Sequence, residues 1–73
     1  MSWTADVFDF DTGHGNRQLR IEVSHEGQPV MWIFRNNGVV KIEYVGNGSG
    51  WTVDASWLME LLNRVEIDPS IQD

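Results

Sequence analysis

His14 and His25 are the only histidines in the chain, and metal ligation would require both to converge with carboxylates from two different loops. Their spacing matches no ligand pattern such as H-x-x-x-H, so they read as exposed loop residues and no metal site is assigned. Ser24, Ser49, Ser56 and Ser70 lie in no nucleophile-elbow context, and the mere presence of Ser, His and Asp does not make a triad. Gly46-Asn47-Gly48-Ser49-Gly50 is glycine-rich like a phosphate loop, yet it lacks the lysine and does not lead straight from a strand into a helix. It reads as a flexible turn. Asn47-Gly48-Ser49 fits the glycosylation pattern, but no secretion signal accompanies it. No catalytic residue and no cofactor site follow, and the expectation is a protein that is not an enzyme.

The chemistry that remains is recognition. Asp6, Asp9 and Asp11, with Trp3 just upstream, form the densest acidic and aromatic stretch of the chain. These four residues are the candidate partner-binding site: the carboxylates would pair with lysine or arginine of a basic segment while the indole covers an aliphatic stem. A structural reading stands beside it, in which the carboxylates guard an edge strand against aggregation. Arg17 and Arg20 are placed to neutralise part of this acidity within the fold.

Residues 5–11 alternate, with Phe8 and Phe10 sharing a face with Asp6 while Val7, Asp9 and Asp11 face the other way. This predicts a short edge strand, followed by a loop at residues 12–16. Over residues 18–24, Leu19, Ile21 and Val23 are predicted to point inward and Arg20, Glu22 and Ser24 to solvent. Residues 25–29 turn the chain. Val30-Met31-Trp32-Ile33-Phe34 is apolar on both faces, as a central strand covered on each side would be. Asn36-Asn37-Gly38 suits a tight hairpin, and residues 39–45 return with Val40, Ile42 and Tyr44 opposite Lys41 and Glu43. Trp51-Thr52-Val53 reads as a brief extended piece, and Trp32 and Trp51 are assigned to the core from their apolar neighbours. Asp54 caps a helix whose Leu58, Leu61, Leu62 and Val65 form one stripe, leaving Glu60, Asn63 and Arg64 outward. Asp68-Pro69 ends it, and a frayed tail is predicted from about residue 69. The expected fold is α+β: a roughly four-stranded antiparallel sheet with one C-terminal helix packed on one face, in a single domain spanning residues 1–73.

Composition bounds the partners. Eleven acidic residues against five basic ones give a formal charge of −6, which repels phosphate backbones and favours a basic partner. Nucleic acid is therefore disfavoured as the main ligand. The absence of cysteine excludes a disulfide scaffold and thiolate zinc sites and fits a reducing compartment. The opening residues lack a signal peptide's basic and apolar regions, and no apolar run reaches the length of a membrane span. A monomeric cytoplasmic protein without membrane contact is expected.

Two resemblances sharpen these expectations. Gly50-Trp51-Thr52-Val53-Asp54-Ala55-Ser56-Trp57-Leu58-Met59-Glu60-Leu61-Leu62 resembles the strand, cap and helix of the positive-cofactor family of transcriptional coactivators, single-strand binders with a β-β-β-β-α unit. That family carries a lysine- and arginine-rich track before its helix, where this chain has glycine, asparagine and serine, so the resemblance implies topology and leaves single-stranded nucleic-acid binding as the alternative function. As a whole, an acidic, cysteine-free chain of 73 residues opening Met1-Ser2-Trp3 is similar to small host-takeover proteins of lytic phages. The nearest in character are Xanthomonas-phage transcription regulators that bind host RNA polymerase. This resemblance implies a regulator that binds the amino-terminal region of the polymerase β′ subunit, opposes σ-dependent initiation and promotes antitermination in the host bacterial cytoplasm. It transfers no individual residue.

Overall fold

Positive backbone angles fall where the chain must reverse, and they set the order of the sheet. The computed structural model describes residues 2–13, 15–46, 52–68 and 71. Its strands are β1 (Trp3–Gly13), β2 (Asn16–His25), β3 (Gln28–Asn36) and β4 (Val39–Tyr44), followed by the helix α1 (Ala55–Ile67). Asn37 and Gly38 take φ of 54° and 77°, giving the two-residue hairpin turn that their types favour. Glu26 and Gly27 do the same at 53° and 81°, tightening the expected turn to two residues. Glutamate is an uncommon occupant of this region, and its amide is held by the Ser2 carbonyl at 2.8 Å. Gly13, the last residue of β1, and Gly15, just before β2, carry positive φ; His14 lies outside the described residues.

The result is one antiparallel sheet in the order β1-β2-β3-β4, with α1 packed across β3 and β4, the α+β arrangement the sequence predicts. The strands run longer than their apolar patterns: β1 begins at Trp3, and β2 covers ten residues. Cross-strand hydrogen bonding extends beyond the residues that need burial. β1 is an edge strand, as expected, and β4 is the other edge.

The core lies between sheet and helix. Ile21, Val23, Val30, Met31 and Ile33 meet Leu61, Val65 and Ile71, with Trp3, Ala5, Leu19, Val40, Trp57, Leu58 and Leu62 around them. Val30 and Met31 are neighbours in sequence, yet both are buried in this cluster. A register shift makes this possible, because Val23 pairs with Met31 while Ser24 pairs with Pro29, leaving Val30 as the extra residue of a bulge. Gly46 follows the end of β4, where a Cβ would come within 2.8 Å of the Pro29 carbonyl oxygen. Any larger residue there would force the strand end off the bulge.

Asp54 caps α1, its side chain accepting from the Ser56 amide at 3.0 Å. The stripe is as predicted, with Leu61 and Val65 buried, Leu58 and Leu62 partly so, and Glu60, Asn63 and Arg64 exposed. The helix continues two residues past Val65, to Ile67. Of the tail predicted to fray from about residue 69, only Ile71 is among the described residues. Ile71 is fully buried, its amide bonded to the Asp68 carbonyl at 3.2 Å. Arg35 secures the region by donating to the carbonyls of Glu66 (2.7 Å) and Ile71 (2.8 Å). A guanidinium fork thus satisfies a carbonyl that the last helical turn leaves without an intrahelical partner. Pro69, Ser70, Gln72 and Asp73 lie outside the described residues, as does Trp51.

Candidate functional site

The residues that alternate with the core positions build the second face of the sheet, which no element among the described residues covers. Phe8 and Phe10 of β1, Arg20 and Glu22 of β2, Trp32 and Phe34 of β3, and Lys41 and Glu43 of β4 lie on it by register. At its centre is Arg20, only 7% exposed. Its guanidinium carbon sits 3.9 Å from the Phe10 ring centre and 3.8 Å from that of Phe34, with Trp32 at 5.4 Å. Nε donates to Gln18 Oε1 at 2.9 Å, and one terminal nitrogen pairs with Glu43 at 3.3 Å. Trp32 in turn packs against Phe8 (5.4 Å) and Phe10 (5.0 Å) and donates its indole N–H to Glu22 at 3.1 Å.

This corrects two expectations and explains a third. Arg20 does not point to solvent; stacking on aromatic faces and charge-assisted hydrogen bonds offset the loss of its hydration. Trp32 is not part of the core between sheet and helix but is partly buried on the opposite face. β3 is apolar on both faces for two different reasons, since α1 covers one side and the sheet's own aromatic side chains and Arg20 cover the other. The signal was present in the sequence as Phe8 and Phe10 sharing a parity with Asp6. What it lacked was the register that sets this parity opposite Arg20 and Trp32.

The four predicted partner-binding residues are divided by the fold. Trp3 faces the helix side, its ring 4.6 Å from His25 and 6.2 Å from Trp57, and its indole N–H donates to the Thr52 carbonyl at 3.0 Å. It locks the start of β1 to the approach to α1. His25, read as an exposed loop residue, ends β2 and is partly buried against this indole. Asp6 stands on the open face, beside Phe8 by parity and paired in register with Glu22. Asp9 and Asp11 belong to the other parity, and Asp11 accepts from the Gly13 amide at 2.9 Å, shaping the loop. All three aspartates are exposed. The structure therefore brings Asp6 to an aromatic surface and leaves Asp9 and Asp11 along the edge. The neutralisation expected of Arg20 falls on Glu43 instead, while Arg17 pairs in register with Asp11.

A second apolar feature lies on the helix side. Val40, Ile42, Met59, Leu62, Asn63 and Glu66 line a groove of about 450 Å³ between β4 and α1. Among the described residues no three histidine or acidic side chains are grouped as metal ligands would be, and no helix is long and apolar enough to cross a membrane. No protein-family model, curated protein or solved structure matches the chain.

Proposed function

We propose that this chain is a non-enzymatic protein-binding regulator that contacts its partner through the open face of the sheet. The observation that carries this reading is the partly exposed trio Phe8, Phe10 and Trp32, bordered by Asp6, Glu22 and Glu43. Aromatic side chains on a rigid sheet supply large contact area at little entropic cost, and they dominate binding energy where they are desolvated. A carboxylate border selects a partner that offers lysine or arginine next to apolar surface. The resemblance to phage transcription regulators makes bacterial RNA polymerase the partner, at the amino-terminal region of β′. The effect is steric: a bound domain interferes with a factor or a mobile element of the enzyme, opposing σ-dependent initiation and favouring antitermination in the bacterial cytoplasm.

An aromatic sheet face also suits stacking of single-stranded bases, which is the observation favouring the alternative. Charge decides against it. On this face the Arg20 guanidinium is buried and engaged by Glu43, leaving Lys41 to meet phosphate among three carboxylates. Purified bacterial RNA polymerase should bind the wild-type chain and bind Phe8→Ala with a faster off-rate, while a single-stranded DNA titration at moderate salt shows no tight association. Submicromolar, steeply salt-dependent DNA binding together with no polymerase binding would reverse the two readings.

A further inference from the structure

We infer that β4 is a self-association edge, on which a second copy of this chain adds its own β4 antiparallel to form one continuous eight-stranded sheet. No strand among the described residues pairs with the outer side of β4. Side chains along it are unusually apolar for an edge: Val39 is 55% exposed, Ile42 51% and Tyr44 52%, and Met59 of α1, 66% exposed, lines the groove beside Ile42. By contrast, β1, the other edge, carries Asp6, Asp9 and Asp11, the kind of charge that blocks edge pairing.

Backbone direction and charge select the same register. In a two-residue hairpin the pair closing the turn is hydrogen-bonded, here Asn36 with Val39, and such pairs recur at every second residue. Lys41 and Glu43 therefore bond inward to β3, while the amides of Val40 and Ile42 point to the free side. A two-fold axis through Ile42 lets those outward groups meet their own counterparts. It sets Ile42 against Ile42 of the second copy, Val40 against Tyr44, and Lys41 against Glu43. Both cross-strand charge pairs are then of opposite sign, an arrangement that stabilises antiparallel strands. Shifting the axis to Lys41 or to Glu43 places identical charges opposite each other, so those registers are disfavoured. The same axis keeps like charges apart elsewhere, because Glu66 is tied by its carbonyl to Arg35, the register partner of Val40, and so lies toward the Val40 end of the groove. In the pair it approaches the Tyr44 end of the second copy and not the other Glu66. A basic foreign strand would gain from the net charge of −6 but would set its cations against Lys41, whereas a second copy offers Lys41 the Glu43 carboxylate, which stays half-exposed beside Arg20.

One six-residue strand with its flanking groove makes a small interface, so the dimer should dissociate in roughly the micromolar to millimolar range. Sedimentation equilibrium of the full chain at rising concentration should show a monomer–dimer equilibrium, weakened by about tenfold or more in Lys41→Glu and retained in Lys41→Arg. Ile42→Lys, which puts two ammonium groups on the axis, should abolish it. Hydrogen exchange should show the Val40 and Ile42 amides gaining protection as the dimer forms, and circular dichroism should confirm that each variant is folded. A monomeric mass up to about 1 mM, or a dimer untouched by these substitutions or protected at β1 instead, would overturn the proposal. The partner reading is tested separately by polymerase binding of the monomeric Ile42→Lys variant, since the open face is left intact in it.

Discussion

Arg20 shows how one side chain can join two layers of chemistry. A guanidinium between two phenyl rings, bonded to Gln18 and Glu43, holds the open face together without a covering element. Among the described residues, no buried side-chain nitrogen or oxygen lacks a partner. Arg20→Ala should cost about 2 kcal/mol or more in a urea melt through lost cation–π and packing contacts. Arg20→Lys should recover only part of that, because an ammonium lacks the planar fork and stacks less well. Arg17→Ala, exposed on the same strand, should stay within about 0.5 kcal/mol. Equal losses at the two positions would show that the aromatic sandwich contributes nothing. The sequence pattern placed Arg20 correctly on the face opposite Ile21 and Val23. Its burial was not legible, since it depends on Phe10 and Phe34, which reach it from strands on either side.

At the scale of elements, legibility follows how local the cause is. The Asn37-Gly38 turn, the Asp54 cap and the stripe through Leu61 and Val65 are set by neighbours within a few positions, and the structure has all three. Leu61→Ala should cost about 2–5 kcal/mol, Asp54→Ala about 0.5–2, and Glu60→Ala no more than about 0.5, measured by chemical denaturation. A Glu60 loss matching that of Leu61 would place the helix face wrongly. Features created by distant partners were not legible in the same way. The bulge that buries both Val30 and Met31 depends on where β2 ends, and Ile71 is ordered by Arg35, 36 positions away. Nothing near Ile71 in sequence marks it for burial; the guanidinium that holds its carbonyl comes from β3. The division of Trp3 from Asp6 is local by contrast, since the alternation of β1 puts Trp3 on the face of Ala5 and Val7 and Asp6 on that of Phe8.

For the molecule as a whole, acidity and the two sheet faces make separable contributions to binding. Asp6, Asp9 and Asp11 span only about 17 Å of an extended strand, so an approaching cation within a Debye length or two of β1 feels all three, whichever face each occupies. Once the partner is seated on the open face, only Asp6 remains beside Phe8. Replacing all three by asparagine should therefore slow association with RNA polymerase and flatten its salt dependence. Asp6→Asn alone should also speed dissociation, and the Asp9→Asn, Asp11→Asn pair should alter the on-rate only. Trp3→Ala should act differently again. Its indole holds β1 to the approach to α1, so the substitution should lower the unfolding free energy by about 2–3 kcal/mol while leaving the dissociation rate of the folded protein near wild type. Stopped-flow association and surface-plasmon dissociation at two or more salt concentrations separate these cases. If the triple variant associates at an unchanged rate, the carboxylates serve only to keep β1 from pairing with other strands. A faster dissociation of Trp3→Ala without loss of stability would instead move the contact surface to the helix side of β1.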